Sequence, residues 1–303
     1  MKKIIKLLKL LKLPVMDGFQ ILITIQLVIF SVFMLLPIVY IFNHALKPYS
    51  ELFIYPPNIF VRNPNSQNFN ELFLVAASSA IPITRYLFNS VFISVGSVVG
   101  ITFVSILCAY PISKHKFPGH KIVFSIIILT LMFAPEAVQI PRYLVVSKLG
   151  IMNTYFGHFL PLLAMPVSVF LMKQFIDQIP DELIQAAYLD GAKEFSVFLY
   201  IIVPNCMPAV ATVAILAFQA SWSNIETSTL FMQDDEMKNF AYFLSTLTNN
   251  LTNNVARQGA AAAAALIMFI PNLFIFLFFQ GKMITTMAHS GIKGSEKSGK
   301  KSE

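Results

Sequence analysis

Charged residues are spaced too far apart along this chain for a water-soluble fold. Counting only Asp, Glu, Lys and Arg, Asp17 and Lys47 bracket 29 uncharged residues, and Arg85 and Lys114 bracket 28. Lys148 and Lys173 bracket 24, Glu194 and Glu226 bracket 31, and Arg257 and Lys282 bracket 24. A hydrocarbon core of about 30 Å takes about 20 apolar residues of helix at about 1.5 Å each, so every one of these stretches can cross it. A sixth stretch, 122–141, is interrupted only by Glu136. The gap between Lys238 and Arg257 is excluded by its content, because the Ser, Thr and Asn side chains over 245–254 are too costly in hydrocarbon. Composition agrees, with 12% charged residues against about 25% in soluble chains. With 29 Phe, 12 Gly and two Cys, the chain is neither disordered, collagenous nor a disulfide scaffold.

The expected fold is all-α and integral to the membrane. Six transmembrane helices are expected near 19–42, 86–112, 122–141, 156–176, 205–225 and 259–281, inside a domain over 19–282 with a loop at 177–204. Fifteen of the 22 Lys and Arg then fall on the side shared by the N-terminus, the second and fourth loops and the C-terminus. The positive-inside rule makes both termini cytoplasmic, with 283–303 a cytoplasmic tail. The net charge of +7 is thus a topological signal, and no nucleic-acid partner is expected. The basic segment 1–18 alternates Lys with Ile and Leu every three or four residues, which suits an interfacial strip on anionic lipid. A cleaved signal peptide fits less well, because the apolar stretch that follows exceeds an h-region and shows no small-residue cleavage site.

Little in the chain suggests chemistry of its own. Cys108 and Cys206 lie among apolar neighbours, as inert packing thiols do. The five His residues lack metal-ligand spacing, and no Walker pattern is present. No enzyme activity, cofactor or metal is expected. The outer segments 43–85 and 226–257 read as solvated surface, or more sharply as a docking surface for an external partner.

The fourth loop is the informative one. It reads IPDELIQAAYLDGAKEFSVFLYIIVP up to Pro204. Pro180 can start a helix, Asp181 and Glu182 suit the positive end of its dipole, and Gly191 can close it in the left-handed conformation. Such a helix is about 15 Å long, too short to span. Its shape suits either another protein's groove or the membrane surface.

These residues resemble the signature E-A-A-x3-G-x9-I-x-L-P of the membrane subunits of binding-protein-dependent ABC importers. Gln185-Ala186-Ala187, Gly191, Ile201, Val203 and Pro204 match its spacing, with Gln185 in place of Glu and Val203 in place of Leu. The segments LKPYSELFIYPPNIF, RYLFNSVFIS, SKHKFPGHK, SKLGIMNTYFGHFLP, FQASWSN and TMAHSGIKG are similar to the carbohydrate (maltose-permease-like) branch, over about residues 16–294. The resemblance implies a permease subunit that pairs with a second homologous permease subunit and two ABC ATPase subunits. It further implies that an extracellular solute-binding protein delivers a sugar or oligosaccharide. Carried over residue by residue, Glu182, Gln185, Ala186, Ala187, Asp190 and Gly191 become ATPase-coupling positions.

Candidates for the substrate path rest on weaker signals. Glu136 is the one acid within an expected span, though close to its outer end. Gln219, Trp222 and Asn224 offer an aromatic face and amides that suit a sugar, and they equally suit an aromatic belt or interhelical hydrogen bonds. The small residues over 259–265 point to close helix approach. A stand-alone secondary transporter or channel remains the alternative; it would normally carry internal repeats or paired intramembrane charges, and neither appears.

Overall fold

Prolines decide where many of the helices begin and bend. The computed structural model describes residues 17–52, 54, 55, 58, 60–77, 81–252 and 258–296; the basic strip over 1–16 and the tail over 297–303 lie outside the described residues. The first helix, α1 (Gly18–Leu46), is followed by α2 (Gln67–Ala77) and by α3 (Ile83–Lys114), which starts directly after Pro82. Next come α4 (His120–Thr130), α5 (Gln139–Lys148), α6 (Tyr155–Leu163), α7 (Pro166–Ile176) and α8 (Asp181–Leu189). The chain continues through α9 (Glu194–Asn205), whose middle, Phe198–Ile202, is π-helical, and α10 (Met207–Trp222). It ends with α11 (Glu226–Phe231), α12 (Phe240–Thr252) and α13 (Gln258–Glu296).

Among the described residues, three helices are long and apolar enough to cross a membrane: α1, α3 and α13 over Gln258–Gly281. Three bent pairs, α4 with Pro135–Lys148, α6 with α7, and α9 with α10, bring the number to six if each counts as one span. The stretch 122–141, expected as one continuous helix, differs most. Its helix stops at Thr130, and the chain turns by 111° into a 3-10 turn, Pro135–Val138, and α5. A residue before proline is pushed out of the helical region, and Ala134 accordingly has φ −66° and ψ 137°. Met165, before Pro166, is displaced to φ −109° and ψ 89°, and there the bend is 47°. Pro111 and Pro271 remain inside their helices.

At the centre of the bundle, α3 packs against α6, α7 and α10. Its buried face repeats at Ser90, Ser94, Ser97, Ile101 and Ser105, a helical spacing of small side chains that lets neighbours approach. A Cβ on Gly96 would lie 2.5 Å from the Phe159 ring, and one on Gly100 would lie 2.5 Å from Leu163. Ridges of α6 therefore fit a groove that only glycine leaves open. The main core joins Ile101 and Ile106 of α3, Met172 and Ile176 of α7, Ile202 of α9 and Val213 of α10. Ile184 of α8 belongs to the same cluster. In contrast α1 is largely exposed and apolar, as suits a lipid-facing surface.

The described residues that follow α1 and α10 are folded rather than loose. Buried Asn68 donates from Nδ2 to the carbonyls of Ala45 (3.0 Å) and Lys47 (2.8 Å), which α1 leaves unpaired at its end. Buried Glu51 accepts from the backbone N–H groups of Arg62 (3.1 Å) and Asn63 (3.0 Å). The polar run rejected as a span forms α12, whose Phe240, Phe243 and Leu244 pack with Ala263 and Ala264 of α13. At the start of the small-residue run, a Cβ on Gly259 would lie 2.4 Å from Asn68 Oδ1. Gly259→Val should therefore displace Asn68 and free the α1 carbonyls. We expect a loss of about 2–4 kcal/mol, seen as a lower melting temperature of the detergent-solubilised protein.

Candidate functional site

Helix α8 is built from its ends inward. Pro180, with φ −59° and ψ 136°, sets the chain direction, and Asp181 and Glu182 occupy the first turn. The far end closes as a Schellman motif: Ala192 N–H donates to Ala187 O at 2.9 Å and Gly191 N–H to Tyr188 O at 3.0 Å. Gly191 has φ +82°, the left-handed conformation expected of it, and nothing lies within 4 Å of where a Cβ would sit. The constraint on this position is backbone conformation rather than space.

The two alanines of the signature face different ways. Ala187 packs against the main core beside buried Ile184, whereas Ala186 and Gln185 are exposed. With Glu182, Asp190 and Gly191 they lie on the outward side, together with Leu183 and Leu189, which is 89% exposed. An apolar side chain so exposed, at the end of the bundle rather than along its lipid-facing flank, leaves α8 with a face that the fold itself does not cover.

Polar anchors hold the other side. Lys114 Nζ donates to the Asp181 carboxylate at 2.7 Å and to the Ile179 carbonyl at 2.6 Å. That ammonium keeps the Asp181 carboxyl below its ordinary range. Tyr188 donates its hydroxyl to Glu194, which raises the phenol above its usual value, with burial adding to the effect. Lys114, Tyr110, His115 and Glu194 were not singled out from the sequence; the nearest signal was the basic turn SKHKFPGHK, which says nothing of its partners.

Of the other four sequence candidates, Gln219, Trp222 and Asn224 cluster at the end of α10, and Glu136 lies on another element. Glu136 is exposed in the turn beyond the 111° bend. Gln219 is exposed on α10. Trp222 is only 6% exposed, and its indole N–H donates to the Met268 carbonyl of α13 at 3.2 Å. Asn224 Oδ1 accepts from the Thr227 backbone N–H at 2.9 Å, and its carbonyl accepts from Asn239 Nδ2. The Trp222 indole is thus an interhelical tie, and the Asn224 side chain caps the start of α11. Among the described residues no group of three or more His, Cys, Asp and Glu could hold a metal ion.

Residues 101–281, which hold α8 and the bends around it, match the family described as the binding-protein-dependent transport system inner membrane component. The chain belongs to this family. It is a multi-pass membrane protein, and the family is one of transport components rather than enzymes. One relative, the arabinooligosaccharides transport system permease protein AraQ of Bacillus subtilis (strain 168), is 27% identical over 281 residues, covering 93% of this chain and 98% of AraQ. Among solved structures, the fold is similar to a chain of a bacterial ABC transporter involved in the import of the acidic polysaccharide alginate. The TM-score is 0.71 at 20% identity, covering 88% of this chain and 99% of that one. A second structure, a bacterial alginate ABC transporter in complex with an alginate pentasaccharide-bound periplasmic protein, matches with TM-score 0.57 at 19% identity, covering 91% and 94%.

The placement of Trp222 in this permease-family chain has a measurable consequence. Trp222→Phe keeps a six-membered aromatic ring but deletes the pyrrole part with its N–H donor from a buried site, so about 1–3 kcal/mol of stability should be lost. Thermal unfolding should report that loss while the uptake KM for the transported solute stays unchanged.

Proposed function

We propose that this chain is a membrane-spanning subunit of an ATP-driven importer that moves a sugar or oligosaccharide into the cell. The observation that carries the reading is α8: a short helix with a Schellman closure, pinned to the core by Ile184 and Asp181, and presenting Leu183, Gln185, Ala186 and Leu189 outward. That is the shape of a helix seated in a partner's groove. The family and its oligosaccharide-importing relative support it.

In this reading α8 faces the cytoplasm, with both chain termini on the same side and six spans between them. Two ABC ATPase subunits bind below, one of them on Glu182, Gln185, Ala186, Ala187, Asp190 and Gly191. A second permease subunit completes the translocation path, and an extracellular binding protein delivers the solute from the opposite side. Glu136 and Gln219, both exposed, and half-exposed Asn224 are the sequence candidates with side chains available to a solute; Trp222 shapes the path through the packing it holds. The chain itself carries out no catalysis: ATP hydrolysis belongs to the partner.

Purification of the tagged chain in mild detergent should recover an ABC ATPase and a second permease, with ATP turnover raised by the cognate binding protein. Solute movement without ATP by the chain alone would overturn the reading. Gly191→Val should leave the protein inserted in the membrane. A Cβ-branched residue at φ +82° costs at least about 1–2 kcal/mol, enough to distort the end of α8. Uptake driven by ATP should then fall at least about tenfold, while hydrolysis by the ATPase persists.

A further inference from the structure

The last turns of α3 hold α8 at both ends. At its start, Lys114 grips Asp181 and the Ile179 carbonyl, and Ser113 donates to Asp177. Beyond its end, donors from two helices meet a single carboxylate. The Tyr110 hydroxyl donates to Glu194 Oε1 and the Tyr188 hydroxyl to Oε2, while His115 Nε2 lies 3.0 Å from Oε1.

This carboxylate joins three elements. Tyr110 and His115 come from the end of α3, Tyr188 from the last turn of α8, and Glu194 opens α9. Tyr110 is the fixed member: it is 6% exposed, with the His115 ring edge-on at 5.3 Å and Phe198 at 5.6 Å. Between Tyr188 and Glu194 the backbone turns through left-handed Gly191 and exposed Lys193. Glu194 thus ties the last turn of α8 to the start of α9 across the Gly191 turn. An ionised carboxylate accepts at two oxygens, which suits two phenol donors; an amide of the same size accepts at one.

We propose that Glu194 is a positioning residue for coupling. Through Tyr110, Tyr188 and His115 it fixes the last turn of α8 to the end of α3 and to α9, so that a displacement of α8 moves α3 with it instead of pivoting about the Lys114 anchor at its start. At the opposite end of α3, Asn89 Nδ2 donates to the carbonyls of Glu236 (2.7 Å) and Lys238 (2.8 Å), and Phe240 N–H donates to Ser90 Oγ at 2.8 Å. The helix therefore reaches from the α8 anchors to the segment that leads into α12. This role rests on the reading of α8 as the ATPase-docking helix.

The test uses the whole importer assembly in lipid vesicles, with uptake and ATP hydrolysis measured together. Glu194→Gln and Tyr188→Phe should each retain the ATPase subunits, while solute taken up per ATP falls about threefold to tenfold, as for a lost charge-assisted hydrogen bond. The double variant should be no worse than the poorer single one, because both break one clamp. Glu194→Asp, which keeps the charge, should recover part of the ratio. Parental uptake per ATP in Glu194→Gln would overturn the proposal, as would parallel loss of uptake, hydrolysis and bound ATPase. An unsubstituted chain that binds no ATPase would instead overturn the reading of α8, and the clamp's role would fall with it.

Discussion

Close packing along α3 is the interaction on which the rest of this structure depends. Helices in a bilayer gain little from excluding water, since lipid tails are as apolar as leucine, and association relies on contact and interhelical hydrogen bonds. Gly96 and Gly100 let Phe159 and Leu163 of α6 seat against the α3 backbone. Ser94 accepts from Ser221 of α10 at 3.3 Å. With its middle buried in this way, α3 leaves its two ends for polar work: Asn89 and Ser90 toward α12, and Tyr110, Ser113, Lys114 and His115 toward α8. Its 32 residues span about 48 Å at the helical rise, more than a bilayer core of about 30 Å needs.

Proline supplies the second constraint. Each bent pair has proline at or near its break, and the freed backbone groups must find partners within the protein. At the 74° break between α9 and α10, Cys206 N–H donates to the Ile202 carbonyl at 3.0 Å within the main core. The consequence is a bundle in which half of the candidate spans are jointed. Short helices connect the longer ones, and α8 is one of them. Its closure at Gly191 and its buried Ile184 give it a fixed pose, while its exposed leucines keep a face open to a partner.

Much of this was legible in the sequence because the signals were local. The lipid-crossing content of α1, α3 and α13 is written in the absence of charge over many consecutive residues. The limits of α8 are written in Pro180, Asp181 and Gly191, each of which acts within one turn. The close approach at Gly259 was likewise announced by a run of small side chains. The continuity of 122–141 was misread because hydropathy does not see direction: Pro135 interrupts an apolar stretch without making it polar. Trp222 and Asn224 have side chains that suit a sugar and a structural contact equally well, and only the fold brings the indole to Met268 and the amide to Thr227.

The sequence by itself determined that the chain crosses a membrane, where α8 starts and stops, and which signature α8 carries. These depend on solvation and on backbone geometry within a few residues. Tertiary structure alone decided that Tyr110, His115 and Tyr188 meet at Glu194, that Lys114 reaches Asp181, and that Ala187 faces inward while Ala186 faces out. Those partners are separated by up to 84 residues, and no local pattern encodes a hydrogen bond between them. They meet because α3, α7 and α10 pack side by side and bring the ends of distant helices to the same level.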